Sequence, residues 1–230
     1  MTNLIAAAAY FVLIHLLVSG TRVRDALTGR IGEGPYMGLF SLASIAGLVW
    51  LIFAFGQARA EPANLAYWTV TPATRHVQIG LQLIALLLIL PGLTTPNPTS
   101  VRQEGALQNP SVVRGMLRIT RHPFLWGVAI WAAGHLLVNG ERASLVLFGS
   151  MLVLAILGTT SIDAKRQRKL GAEWEAFAAQ TSNIPFAAIV SGRQKLQVAE
   201  IGWWRLLLAL VVWLVLLVAH PYAFGVPAMG

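Results

Sequence analysis

The residues of this chain that could do chemistry are few, and two of them sit where chemistry is expensive. Of its five histidines, two fall inside long apolar runs: His15 in AYFVLIHLLVSG and His135 in PFLWGVAIWAAGHLLVNG. An ionisable ring within hydrocarbon is costly; it normally faces a bundle interior, has a partner and marks function. Neutral imidazole needs no countercharge and is the commonest side-chain metal ligand, suited to iron, copper or zinc. Zinc would need thiolates or carboxylates to complete its shell, but the chain has no cysteine and no acidic residue at comparable depth. Two imidazoles do complete the axial coordination of a haem iron, because the porphyrin supplies the other four nitrogens. The alternative is structural, with both rings bonded to backbone carbonyls or to Gln78 and Gln82, which lie one turn apart in the third apolar run. Both readings stand at this level.

Those rings can act together only if the elements that carry them converge. The chain has 230 residues, 56% hydrophobic and 11% charged, with a mean hydropathy of +0.65, a balance that belongs to an integral membrane protein. The lack of cysteine excludes disulfides, zinc–thiolate sites, iron–sulfur clusters and thiol catalysis. Six apolar runs, at 3–19, 37–56, 76–92, 123–138, 143–162 and 206–220, predict an all-α polytopic bundle of about six transmembrane helices, forming one membrane domain over 1–230. Each run has ~15–20 residues, at or slightly below the ~20 that a hydrocarbon core requires. The first lacks the preceding basic residues of a signal peptide, so it reads as a retained helix. Asn139-Gly140 supplies a tight turn between the fourth and fifth spans.

Charge sets the expected orientation. Fourteen of the 17 Lys and Arg residues fall on one side of the alternating loops, and only Arg59, Arg75 and Arg142 on the other. The positive-inside rule then places both termini outside the cytoplasm. The formal charge of +8 reflects this topology and contact with anionic membrane lipid, and no nucleic-acid partner is expected. The cytoplasmic segment 163–204 begins as a basic helical continuation of the fifth span. In EWEAFAAQT, Trp174, Phe177 and Ala178 form an apolar stripe suited to the membrane surface or the underside of the bundle. Asn183 and Pro185 end that helix.

The same topology sorts the histidines by depth. His76 and His220 lie near the outer surface. His122 opens the fourth span at the cytoplasmic boundary, where its ring can cap the helix or contact anions. His15 lies one turn inside the cytoplasmic end of the first span, and His135 lies twelve residues above Pro123, ~18 Å along the helix. Their heights differ by ~6–12 Å. Arg22, Arg118 and Arg121 line the cytoplasmic edge, where the propionates of a haem need cations.

The stretches GMLRITRHPFLWGVAIWAAGHLLVNG, TSNIPFAAIVSGRQ and AHPYAFG, with SGTR after the first-span histidine and IGEGPYMGLFSLASIAG entering the second, resemble the NnrU family. That family includes the plant 15-cis-ζ-carotene isomerases. The resemblance covers roughly residues 10–225 and implies a polytopic membrane protein carrying haem b between two axial histidines, which correspond to His15 and His135. It implies one of two themes: cis–trans isomerisation of a polyene such as 15-cis-ζ-carotene, or, in bacterial relatives, support of nitrite and nitric oxide reductases in denitrification. The short outer hairpin VNGERASLVLFGS looks like the bacterial type, so the bacterial inner membrane is the expected location, with a polyene or nitric oxide as ligand. Where plant members are similar to WCLAH, this chain has WAAGH, so Ala132 replaces a cysteine and a thiolate alternating with imidazole is not available. The stretches RHPFLWG and GAEWEAFAAQTSNIPF are also similar to the isoprenylcysteine carboxyl methyltransferases, which would involve His122, Glu173 and Trp174; the pattern departs from theirs at Ile162-Asp163, where a Glu pair is expected. A non-enzymatic assembly or regulatory role is the third alternative. Oligomeric state is unknown at this level.

Overall fold

The computed structural model describes residues 1–228. Helix α1 (Thr2–Leu13) runs directly into a π-helical turn, Ile14–Val18, and after a break α2 (Arg22–Ile31) follows. Then come α3 (Glu33–Arg59), α4 (Pro72–Thr94), the short α5 (Met116–Ile119), α6 (Pro123–Val138) and α7 (Arg142–Leu170). The chain closes with α8 (Ala172–Gln180), the short α9 (Ala187–Val190) and α10 (Trp203–Phe224). Among the described residues there is no strand beyond one isolated bridge, Ala66 to Glu141. This is an all-α membrane helix bundle.

Each of the six apolar runs is helical. α3, α4, α7 and α10 are long and apolar enough to cross a membrane by themselves. α1 with its π turn passes together with α2, but the two are bent by 77°, so the first crossing is broken at its basic end. α6 has 16 residues, ~24 Å at 1.5 Å per residue, which is less than the ~30 Å of a hydrocarbon core. Its limits are set by Pro123, which cannot extend a helix backwards through its missing N–H, and by the turn at Asn139-Gly140. There the backbone pairs across to the α3–α4 loop, Tyr67 N donating to Gly140 O at 2.9 Å and Arg142 N to Leu65 O at 3.0 Å. α2 buries none of its residues, and its apolar positions Val23 and Ile31 are exposed. It is started by the Thr21 side chain, which accepts from Val23 N, and tied to α3 by Arg24 Nη2 on Glu33 Oε1 at 2.5 Å.

In lipid, apolar side chains gain little by burial against one another, so helices associate through close packing at small residues. α6 lies between α4 and α7, α10 packs on α4, and α1 packs against α3 and α7. Gly127 and Gly134 let α6 approach α4: a Cβ on Gly127 would stand 2.8 Å from Ala85 O, and one on Gly134 would stand 2.1 Å from Gln78 Oε1. Gly47 plays the same part beneath Tyr10, between α1 and α3. A cluster of Leu4, Ala7, Leu51, Ala54 and Ala143 joins α1, α3 and α7 at the end where the chain begins. At the basic end α7 continues well beyond the apolar run, and α8 folds under the bundle, with Trp174 and Phe177 buried against Leu117. The apolar stripe of that segment thus faces the underside.

Candidate functional site

His15 stands inside the π turn, where Ser19 N reaches back five residues to Ile14 O at 3.0 Å. Such turns are rare and recur at functional sites. Its Nδ1 lies 2.7 Å from Phe11 O. A carbonyl only accepts, so Nδ1 carries the proton and a neutral ring leaves Nε2 as a lone pair. The ring packs between Phe11 and Phe40, with centroids 4.5 and 5.2 Å away. His135 has the same tether, Nδ1 to Trp131 O at 2.8 Å. Its ring stacks on Phe148 of α7 at 4.6 Å and lies 4.9 Å from Trp131. Gln78 and Gln82 do not reach it; Gln82 Nε2 donates to Gln78 Oε1 at 3.0 Å and to Trp131 O at 3.4 Å.

Both imidazoles therefore present the donor state of a metal ligand, with Nδ1 fixed by a carbonyl and Nε2 without a hydrogen-bond partner. No hydrogen bond or ring contact joins the two among the described residues. α7 gives their relative depth. Phe148 stacks on His135, and Ser161 faces Gly20; these α7 positions are thirteen residues apart, ~20 Å along the axis. His15 lies five residues above Gly20, which leaves the rings ~12 Å apart in depth, each in its own aromatic cluster. By donor chemistry they fit the axial positions of haem; for one iron to take both, the rings must leave the clusters described. No group of three or more His, Cys, Asp or Glu that could hold a bare metal ion occurs among the described residues.

The other anticipated residues are drawn into the basic end. Arg121 forks onto Asp163, Nε to Oδ1 at 2.9 Å and Nη2 to Oδ2 at 2.5 Å. His122 is fully buried with Nε2 2.7 Å from Asp163 Oδ1, while its buried Nδ1 has no hydrogen-bond partner. Asn183 Nδ2 completes the Asp163 carboxylate at 3.1 Å, and Asn183 O accepts from Thr120 Oγ1 and Trp126 Nε1. RITRHP, Asp163 and TSN thus interlock into one knot. Arg118 forks onto Glu200 at 2.7 and 3.0 Å and donates Nη1 to Gln194 Oε1 at 2.6 Å. The hydrogen bonds from Arg118, with a further one from Gly115 N–H, hold Glu200 below the usual carboxylate range against the effect of burial, and the same bond raises Arg118. Gly115 is required, since its φ is +54° and a Cβ would stand 2.8 Å from Glu200 O. Arg22 is exposed and has no hydrogen bond or ion pair. Trp174 is buried with the Arg121 guanidinium 6.0 Å from its ring, and Glu173 is exposed.

Asp163, Asn183 and Glu200 are the anchors that pattern reading missed. The available signal was charge: acidic residues beside a strongly basic edge have cations to find.

The family model described as NnrU protein matches residues 3–228, nearly the whole chain. The chain belongs to the NnrU family. Among curated proteins the NnrU chain is similar to the chloroplastic 15-cis-zeta-carotene isomerase of Zea mays, 26% identical over 200 residues, 85% of this chain and 51% of that one. It is also similar to the enzyme of the same name from Arabidopsis thaliana, 24% identical over 189 residues, 81% of this chain and 50% of that one. The NnrU chain thus spans about half the length of these curated relatives. No solved structure matches.

Proposed function

We propose that this NnrU protein is a membrane isomerase of a long polyene such as 15-cis-ζ-carotene, and that it binds haem b through His15 and His135. The observation that carries the reading is the pair of intramembrane imidazoles, each with Nδ1 tethered and Nε2 free, in a chain whose curated relatives are named for that isomerisation. Turning a cis double bond to trans has no net redox change, so no electron donor or acceptor is consumed. Bound haem would supply an iron able to draw electron density from a double bond and lower its barrier to rotation. The chain's own contribution is to set the imidazole tautomers through the Phe11 and Trp131 carbonyls; to share one iron the rings would move off Phe11, Phe40, Trp131 and Phe148, leaving apolar side chains to line the site and keep water away. Of Arg22, Arg118 and Arg121, Arg22 is the one with no hydrogen bond or ion pair among the described residues and is assigned to a propionate. Arg118, Arg121 and His122 are engaged with Glu200 and Asp163 and act by holding that edge together. In a bacterial inner membrane with both termini outside, the same centre would be open to nitric oxide and so serve denitrification.

Purification in mild detergent followed by an absorption spectrum tests the reading. Wild type is expected to show a Soret band that shifts or disappears in His15→Ala and in His135→Ala, and to convert 15-cis-ζ-carotene in reconstituted vesicles. A colourless protein, or a band unchanged in both variants, overturns the haem assignment. A coloured protein that leaves the carotenoid unchanged overturns the isomerase assignment.

A further inference from the structure

We propose that the cavity beside the start of α10 holds the phosphate headgroup of an anionic membrane phospholipid. The cavity, about 730 Å³, lies between the 110–118 segment, the 194–202 loop and the first turn of α10. Three arginines line it, Arg114, Arg118 and Arg205, with a single carboxylate, Glu200. Arg118 and Glu200 neutralise each other through their two-pronged bond. Arg205 is held by neutral oxygens alone: Thr94 Oγ1 and Thr94 O, each at 3.1 Å, and Ile201 O at 2.9 Å. The Arg114 guanidinium is exposed and makes no hydrogen bond. Two cations with no carboxylate hydrogen-bonded to them, Arg114 meeting the Glu200 charge only through space, therefore border one cavity of ligand-binding size, and guanidinium donors are suited to phosphate oxygens.

Position selects the source of that phosphate. Arg205 is the third residue of a 22-residue apolar helix. Trp203 and Trp204 flank it, 76% and 45% exposed, and the Arg205 guanidinium stands 4.6 Å from the Trp204 ring. Exposed tryptophans at the head of a span mark the membrane–water boundary, where basic pockets between helices take anionic headgroups. Exposed Leu208 and Leu216 lie on the Arg205 side of α10, three and eleven residues further along, and offer an apolar track for acyl chains. A free phosphate ion would gain nothing from that track. The bound lipid would link the 110–118 segment to α10 across a seam that, at this point, the Arg118–Glu200 pair closes.

Native mass spectrometry of the delipidated protein, given equal amounts of phosphatidylglycerol and phosphatidylcholine, tests this directly. Wild type is expected to retain phosphatidylglycerol over phosphatidylcholine by about tenfold. Arg114→Gln, which removes no bond within the chain, is expected to lower that retention about fivefold, the weight of one arginine near an anionic lipid. Arg30→Gln, an exposed arginine on α2, should leave it unchanged. Equal retention of both lipids, or wild-type retention in Arg114→Gln, overturns the proposal. Displacement of bound phosphatidylglycerol by millimolar inorganic phosphate overturns it too, since the site would then be one for a soluble anion.

Discussion

Replacing Asp163 by Asn keeps the shape of the side chain but removes the charge that Arg121 and His122 share. Both partners are largely buried, and a buried cation that loses its counterion typically costs 3–5 kcal/mol. Asp163→Asn is therefore expected to lower stability by about 3 kcal/mol, read as a fall in the thermal midpoint in detergent. The Soret intensity per folded molecule should be retained, because Asp163 touches neither His15 nor His135; a stable variant that has lost its pigment would contradict the structural role. This contrast also explains what could be read at the residue scale. Depth is a local property: His15 and His135 stand out because the residues beside them are apolar. Partnership is not local. Asp163 meets Arg121 and His122 from forty residues further along the chain, and Phe40 and Phe148 reach the two imidazoles from helices that no spacing within α1 or α6 announces.

The helices themselves were legible because a run long enough to cross a membrane has little choice but to be helical. α6 falls on 123–138 as expected, and α7 extends beyond 162 on its basic run. The π turn and α2 were not legible: nothing in the apolar run that holds the π turn distinguishes it from α-helix, and the apolar positions of α2 are too few and too exposed to mark a buried face, so its start depends on the Thr21 cap and the Arg24–Glu33 pair. Interfaces between helices depend on glycine, and this can be tested by paired substitutions. Gly127→Ala would drive a Cβ to within 2.8 Å of the Ala85 carbonyl, backbone that cannot step aside, and is expected to cost about 1–3 kcal/mol. Gly149→Ala on α7 meets nothing within 4 Å and should be neutral or gain up to about 1 kcal/mol from helix propensity. Equal midpoints for the two variants would show that α4 and α6 are not in close contact. The docking of the basic end has a pH signature. Burial works against the Glu104 charge, but its own backbone N–H, Arg166 and Lys169 outweigh it and hold the carboxyl down at about 2; Glu200 is lowered by Arg118. For a lowered carboxyl the stabilisation is complete above the ordinary value near 4.5 and is lost as pH falls through the folded value. Amide protection in residues 194–201, exchange measured against the intrinsic rate at each pH, should thus be constant from pH 7 to 5 and fall as pH drops below about 4.5, the ordinary value from which Glu200 is lowered. Loss of protection already at pH 6 would point to a histidine instead.

At the scale of the whole molecule, the two ends of the bundle are built differently. One end is closed by apolar packing of α1, α3 and α7 and by the paired turns at 65–67 and 140–142. The other is closed by ion pairs, with Arg121–Asp163 and Arg166–Glu104 fastening segments to α7 and Arg118–Glu200 joining α5 to the loop before α10. Arginines used in this way still count in the charge bias across the membrane, because insertion precedes folding of the loops and the bias acts on the chain as it emerges. The positive end should therefore face the cytoplasm, and the cysteine-free sequence allows a clean measurement. Ala63→Cys, in the exposed loop after α3, should react with a membrane-impermeant maleimide in intact spheroplasts. Lys195→Cys, exposed at the basic end, should react only after lysis. The reverse pattern would invert the orientation and place the arginine cavity beside α10 on the outer leaflet, whereas equal labelling of both sites in intact spheroplasts would mean that the chain inserts in two orientations and that charge does not govern its topology.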